Sequence, residues 1–154
     1  PYVDARNLFI SGGSGGGVLT LWAIGKEPDK FRAAAALRPV TDWTVQALSS
    51  DIQSLTAQYW LGGANPWDGH ETYWRQSPLS LVGNVKTPVV LITGEADYRT
   101  PIAQTEMYYQ ALKLRDVPAM KVRLPEANHG MGRPSQWLQS NLAVVDWFER
   151  YRVK

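Results

Sequence analysis

The stretch Leu8-Phe9-Ile10-Ser11-Gly12-Gly13-Ser14-Gly15-Gly16-Gly17-Val18-Leu19 decides how this chain is read. An apolar run, Leu8 to Ile10, leads into glycines and serines. A second run, with Val18, Leu19, Leu21, Trp22 and Ile24, leads out at helical spacing. Between them lies Gly12-x-Ser14-x-Gly16. Between a strand and a helix, that pattern makes a nucleophile elbow, a sharp and strained turn that lifts a serine hydroxyl to the rim of a sheet. The N–H of the following residue, Gly15, then points to where an oxyanion would form. A flexible Gly/Ser linker has a similar composition. Linkers usually join polar sequence at domain ends, whereas this stretch joins a strand-like run to a helix-like one.

A serine hydroxyl is a weak nucleophile at neutral pH and needs a base, which in turn needs an orienting group. In parallel α/β sheets such groups gather beyond the carboxyl ends of strands. Working outward, Pro1 to Asn7 reads as a lead-in turn, and Ala33 to Leu37 as a short strand buried on both faces. Pro88 to Thr93 is the clearest buried strand, and Met120 to Leu124 is another. Ile102 to Leu114 reads as a helix. A last helix is expected to be N-capped by Ser135 and to run through Arg150, with Leu138, Leu142, Val145 and Phe148 on one face. Thr41 to Tyr59 carries helical spacing in places, through Val45, Leu48, Ile52, Leu55 and Tyr59. Leu61 to His70 is a loop rich in Gly, Pro and Trp, of the kind that rims a site. Strands alternating with helices imply a mostly parallel sheet flanked by helices, in one domain over residues 1–154.

Three residues of the required types fall at three strand exits. Ser14 follows the first strand, Asp97 the Val89–Thr93 strand, and His129 the Met120–Leu124 strand. Ser, then Asp, then His is the chain order of α/β-hydrolase triads. The chain has 2 histidines, so the base is His70 or His129. His70 precedes the acid and reads as an exposed loop residue. Glu95 is the weaker choice of acid, and Asp116 and Asp146 read as solvated surface carboxylates.

Composition excludes other classes. Apolar residues make up 44% of the 154, and charged residues 19%, which fits a folded soluble domain. The net charge of +2 comes from 16 basic and 14 acidic residues with no dense basic run, so no nucleic-acid partner is expected. There is no cysteine, which removes disulfides, a thiol nucleophile and Cys-rich metal sites. No apolar run approaches the ~20 residues that span a bilayer, so no membrane partner is expected either. Nothing in the triad requires a metal or organic cofactor. The compartment is left open.

With these residues in hand, the chain resembles the catalytic domain of the prolyl oligopeptidase family of serine peptidases, most nearly its acylaminoacyl-peptidase branch, over nearly its whole length. Gly12-Gly13-Ser14-Gly15-Gly16-Gly17 is similar to the family's Gly-Gly-Ser-Tyr-Gly-Gly, with Gly15 in the place of the usual aromatic. Gly94-Glu95-Ala96-Asp97-Tyr98-Arg99-Thr100-Pro101 resembles its acid loop, and Pro125-Glu126-Ala127-Asn128-His129-Gly130 its histidine loop. Trp147 to Tyr151 resembles its terminal helix, and Phe31 to Ala34, Ser50 to Ile52, Ser77-Pro78 and Thr87-Pro88 fall where similar segments occur. The resemblance implies Ser14, Asp97 and His129 as catalytic residues and Gly15 as an oxyanion donor. It also implies a substrate-binding role for Arg99, two positions after the acid, holding a peptide carbonyl; the alternative is a surface arginine. The substrates implied are short or acylated peptides. A carboxylesterase on the same fold, or a non-catalytic hydrolase-fold module, is an alternative the triad residues do not separate.

The resemblance covers the C-terminal part of the α/β-hydrolase fold. The family's upstream strands, its second oxyanion donor and its β-propeller have no counterpart in this chain. The first strand is therefore expected to have a bare edge, with unpaired backbone groups. The remaining catalytic-domain strands, from another chain or copy, are expected to complete it.

Overall fold

The computed structural model describes residues 4–154, so part of the lead-in turn expected at Pro1–Asn7 lies outside the described residues. Among the described residues, four strands form one parallel sheet in the order β1-β2-β3-β4. They are β1 (Phe9–Gly13), β2 (Ala33–Leu37), β3 (Val89–Gly94) and β4 (Ala119–Leu124). Each pair is parallel and in sequence order, with Phe9 opposite Ala33, Ala34 opposite Val89, and Val89 opposite Ala119. The crossovers carry α1 (Gly15–Lys26), then α2 (Trp43–Ser49), α3 (Gln53–Leu55) and α4 (His70–Gln76), then α5 (Ile102–Leu114); α6 (Pro134–Tyr151) follows β4.

Sequence alternation divides the core into two layers, because successive strand side chains point to opposite faces. Ala34, Ala36, Val89 and Leu91 pack with Leu21, Ile24, Tyr108 and Leu112 on the α1/α5 face. Ala33, Ala35, Val90 and Ile92 pack with Leu124, Met131 and Trp147 on the α6 face. β3 is buried along its whole length. Each of its large apolar side chains contributes about 1.5–3 kcal/mol relative to exposure. The four alanines of β2 are fully buried, and α1 and α6 both contact that strand. Methyl groups on both faces let the two helices approach.

Three expectations change at the edges of elements. β1 runs on through the glycines to Gly13, and Gly15 already opens α1, so strand and helix meet at Ser14 alone. α6 begins at Pro134 after Arg133, so Ser135 lies inside the helix and caps nothing. A proline at the first helical position sets the start, since its missing N–H has no acceptor there in any case. The Gln136 side chain then accepts from the Arg133 N–H at 3.2 Å.

The face of α6 is the larger correction. Leu138, Leu142 and Val145 are 61%, 53% and 56% exposed. Of the expected face only Phe148 turns to the sheet, where it joins Ser140, Ala143, Val144, Trp147 and Tyr151. Its aromatic residues offer more area to bury: Phe148 stacks on Phe9 at 4.7 Å, and Trp147 meets Tyr151 edge-on at 5.0 Å. Leu48, Leu55 and Tyr59 are likewise exposed, although the spacing of that segment marked them as a helical stripe. His70 is the first residue of α4, at the end of the expected loop, and is exposed.

Candidate active site

The site lies along the carboxyl ends of the four strands. Ser14 follows β1 with φ 56 and ψ −120, a backbone conformation that side chains rarely adopt. The turn is held from both sides: the Ser14 N–H donates to the Leu37 carbonyl at 2.9 Å, and the Val18 N–H donates to the Ser14 carbonyl at 3.1 Å. The glycines around it have different reasons. A Cβ on Gly12 would overlap the Gly16 carbonyl, because strand and helix cross there, whereas one on Gly15 or Gly16 would meet nothing within 4 Å. Glycine is therefore required by space before the serine and not immediately after it.

Left-handed backbone recurs along the rim. Arg38 follows β2 at φ 49, and Glu126 lies just beyond β4 at φ 56. β3 ends differently, at Gly94, where a Cβ would overlap the Ala127 carbonyl. That close approach lets the Ala96 N–H donate to the Ala127 carbonyl at 3.0 Å, while the Glu95 N–H reaches the Leu124 carbonyl at 3.0 Å. The acid loop and the histidine loop are thereby joined by their backbones.

The consequence is a continuous relay. His129 Nε2 lies 3.0 Å from Ser14 Oγ, and His129 Nδ1 lies 2.8 Å from Asp97 Oδ2. The Asp97 side chain is fully buried and that of His129 is 27% exposed. Asp97 accepts from the Arg99 and Thr100 N–H groups at 3.0 and 2.9 Å and from the Thr100 hydroxyl at 3.1 Å. With the carboxylate acting only as acceptor, Nδ1 is the donor and Nε2 is left to accept from the serine. The rival carboxylates are elsewhere: Glu95 pairs with Arg123 at 3.1 Å, and Asp116 and Asp146 are exposed.

Beside Ser14 opens a cleft of about 600 Å³. Its apolar wall is Val18, Val40, Trp43, Ile52, Tyr59 and Trp60, and Gly15, Arg99 and His129 line it as well. Trp43 and Trp60 meet at 5.5 Å, tilted by 59°. The Trp43 indole N–H donates to the Gln76 carbonyl at 2.8 Å, and its backbone N–H donates to Ser77 Oγ at 2.9 Å. Trp60 ends a π-helical turn, Thr56–Trp60, an irregularity frequent at functional sites.

Two residues to which motif reasoning gave no role, Gln104 and Asp51, organise this wall, and a third, Arg38, lies on the rim. Buried Gln104 accepts from the Thr41 and Asp42 N–H groups, each at 2.9 Å, and returns a bond to the Asp42 carbonyl at 2.9 Å. It joins the start of α5 to the entry of α2. Arg99 is ion-paired with Asp51 at 2.6 Å. Arg38 lays its guanidinium against Gly13, where a Cβ would stand 2.8 Å from Nη2. Burial pulls the Arg38 pKa down, with the nearby Asp97 charge opposing. A buried glutamine and a lone aspartate carry no spacing signal. The positive φ of Arg38 is invisible to residue type.

Residues 1–153 match the model of the prolyl oligopeptidase family. The chain belongs to the prolyl oligopeptidase family. Within that family it is 33% identical over 154 residues to the acylamino-acid-releasing enzyme of Arabidopsis thaliana, covering 96% of this chain and 20% of the plant enzyme. The acylaminoacyl peptidase of Pyrococcus horikoshii superposes with a TM-score of 0.88 at 31% identity, over 97% of this chain and 25% of that one. An acylaminoacyl peptidase in complex with Z-Gly-Gly-Phe-chloromethyl ketone gives a TM-score of 0.89 at 29% identity, over 99% and 25% of the respective chains. This prolyl oligopeptidase-family chain thus spans a fifth to a quarter of the length of these relatives. The sheet order places β1 at an edge of the described sheet, and Ser11 on it is exposed.

Proposed function

We propose that the chain carries the catalytic centre of a serine peptidase that cleaves short or acylated peptides through an acyl-enzyme. The observation that supports this best is His129, bridging Ser14 Oγ at 3.0 Å and Asp97 at 2.8 Å. Ser14 attacks the scissile carbonyl while His129 Nε2 takes its proton. The imidazolium then gives that proton to the leaving amine, the C–N bond breaks, and water, deprotonated by His129, releases the acid. Asp97 holds the Nδ1–H tautomer and stabilises the imidazolium. The Gly15 N–H, at the first residue of α1, has no intrahelical acceptor and serves the developing oxyanion. Arg99 donates to a substrate carbonyl. The aromatic wall receives a large apolar side chain, consistent with the phenylalanine of the ligand in the acylaminoacyl peptidase complex.

The β1 edge, unpaired among the described residues, completes its pairing with the remaining catalytic-domain strands, from another chain or copy. A polypeptide of these 154 residues alone that is monomeric and unfolds cooperatively would count against that. The catalytic assignment is tested by labelling the active, full-length enzyme with a fluorophosphonate and mapping the adduct. A label on Ser14, lost in Ser14→Ala, is expected; a label on another residue overturns it. Comparing an acyl-amino-acid anilide with a nitrophenyl ester separates peptidase from esterase.

A further inference from the structure

Arg99 is not a free cation. Asp51, in the turn between α2 and α3, accepts from its Nε at 2.6 Å and from its Nη2 at 3.4 Å. The same junction is fastened through the backbone. The Asp51 N–H donates to the Tyr98 carbonyl at 2.9 Å. The Arg99 carbonyl accepts from Ser50 Oγ and from Gln46 Nε2, each at 2.8 Å. The Arg99 N–H goes to Asp97 at 3.0 Å. Arg99 is therefore held at its N–H by the acid, at its carbonyl by the middle of α2 and the residue that follows the helix, and at its guanidinium by Asp51. Nη1 makes no hydrogen bond among the described residues.

The pair stands between two cavities. Arg99 and His129 line the apolar cleft at Ser14, and the same two residues line a smaller cavity of about 220 Å³ that also contains Asp51, Tyr98 and Asn128. Both members of the pair are nearly half-exposed, with side chains 44% and 46% accessible, so solvent screens their contribution to folding. Their geometry at the cleft is the larger consequence. An unpaired guanidinium beside a substrate favours a carboxylate, which it can grip with two parallel N–H groups. Pairing with Asp51 occupies the Nε–Nη2 edge and offsets the guanidinium charge, while the Nη1 N–H groups stay available to a neutral carbonyl.

We infer that Asp51 is a positioning residue that sets specificity: it orients Arg99 and neutralises it, so that the cleft selects a neutral acyl or peptide carbonyl over an acyl group bearing a carboxylate. The inference rests on the reading of Arg99 as a substrate donor. Its hydrogen bond to Arg99 holds the Asp51 carboxyl below the usual carboxylate range, so the pair persists at neutral and mildly acidic pH.

The test compares acetyl-Phe and succinyl-Phe p-nitroanilides on the full-length enzyme, unmodified and as Asp51→Asn. In Asp51→Asn the KM for the acetyl substrate is expected to rise about 5-fold while that for the succinyl substrate falls about 3-fold, with kcat for both moving less than KM. Asp51→Glu, which keeps the charge, is expected to retain the acetyl preference. In Asp51→Asn/Arg99→Met the gain on the succinyl substrate is expected to vanish. A KM ratio that stays fixed in Asp51→Asn, or a succinyl preference in Asp51→Glu, overturns the inference. Fluorophosphonate labelling keeps the two readings apart. A variant still labelled at Ser14 with an unmoved ratio sinks this inference alone, whereas an unmodified enzyme not labelled at Ser14 sinks the catalytic reading beneath it.

Discussion

The strand-exit rim and the aromatic wall face each other across one cleft but are built differently. On the rim, side chains are aimed by backbone in restricted conformations: left-handed at Ser14, Arg38 and Glu126, and crowded against Ala127 at Gly94. On the wall, Trp43, Tyr59 and Trp60 sit on short helices and a π-helical turn, tied by individual side-chain bonds such as Trp43 to Gln76 and Gln104 to Asp42. A rim made of strained turns tolerates little change, because each turn has one way to close. A wall made of side-chain packing can change residue by residue while the rim stays intact. That is a physical basis for keeping one chemistry while substrate choice varies.

The comparison breaks most visibly at the relay. Asp97→Asn preserves shape but leaves a side chain that no longer favours the Nδ1–H tautomer, and kcat is expected to fall on the order of 10,000-fold. A loss under 10-fold in steady-state kinetics would remove Asp97 from the mechanism. Next come the glycines. Gly94→Ala forces a methyl into the Ala127 carbonyl, and denaturant unfolding of the full-length enzyme is expected to show a loss of about 3 kcal/mol, with activity falling in step. Gly15→Ala meets open space at a helix start and is expected to be neutral or slightly stabilising in the same measurement. Equal losses for the two would mean that the rim is not sterically set.

On the wall, Trp60→Ala is expected to raise KM for a phenylalanyl anilide about 10-fold, and kcat less, because apolar contact is made equally in ground and transition states. A fall confined to kcat would place Trp60 in the chemistry instead. A smaller effect than that of Trp60 is expected in the core below. The Tyr108 hydroxyl is buried without a partner among the described residues, and burial pushes its pKa above the usual phenol range. Tyr108→Phe is therefore expected to stabilise the protein by about 1 kcal/mol. The sign with pH follows from the raised value. Above about pH 10 the unfolded chain loses this proton while the folded one keeps it, so stability falls as pH rises further. The phenylalanine variant is expected to unfold less readily at alkaline pH, read by thermal melts across that range.

Much of the rim was legible because its signals are local. The limits of Ala33–Leu37 and Ile102–Leu114 agree with the sequence reading, since an unbroken apolar run or a helix closed by turn residues needs no distant partner. Ser14, Asp97 and His129 stood out because turn-forming loops follow strands there. The buried face of α6 was not legible in the same way. Apolar residues outside the expected stripe also lie along it, and only the sheet beneath, which takes Phe148 and Trp147, leaves Leu138, Leu142 and Val145 exposed. Gln104, and the role of Asp51 within the family-like Ser50–Ile52 segment, were silent for a related reason: a single polar residue has no period, and its partner lies 48 or more positions away.

By itself, then, the order of residues determined the strand-helix alternation, the elbow at Ser14 and the chemical types available at each strand exit. These depend on side-chain periodicity and backbone preference over a few residues. Only the assembled sheet decided that His129 reaches both Ser14 and Asp97, that Arg99 arrives at the cleft already paired with Asp51, and which aromatic residues face the serine. Those outcomes need parallel register and close crossing of loops far apart in sequence, and no local preference encodes a distance between them.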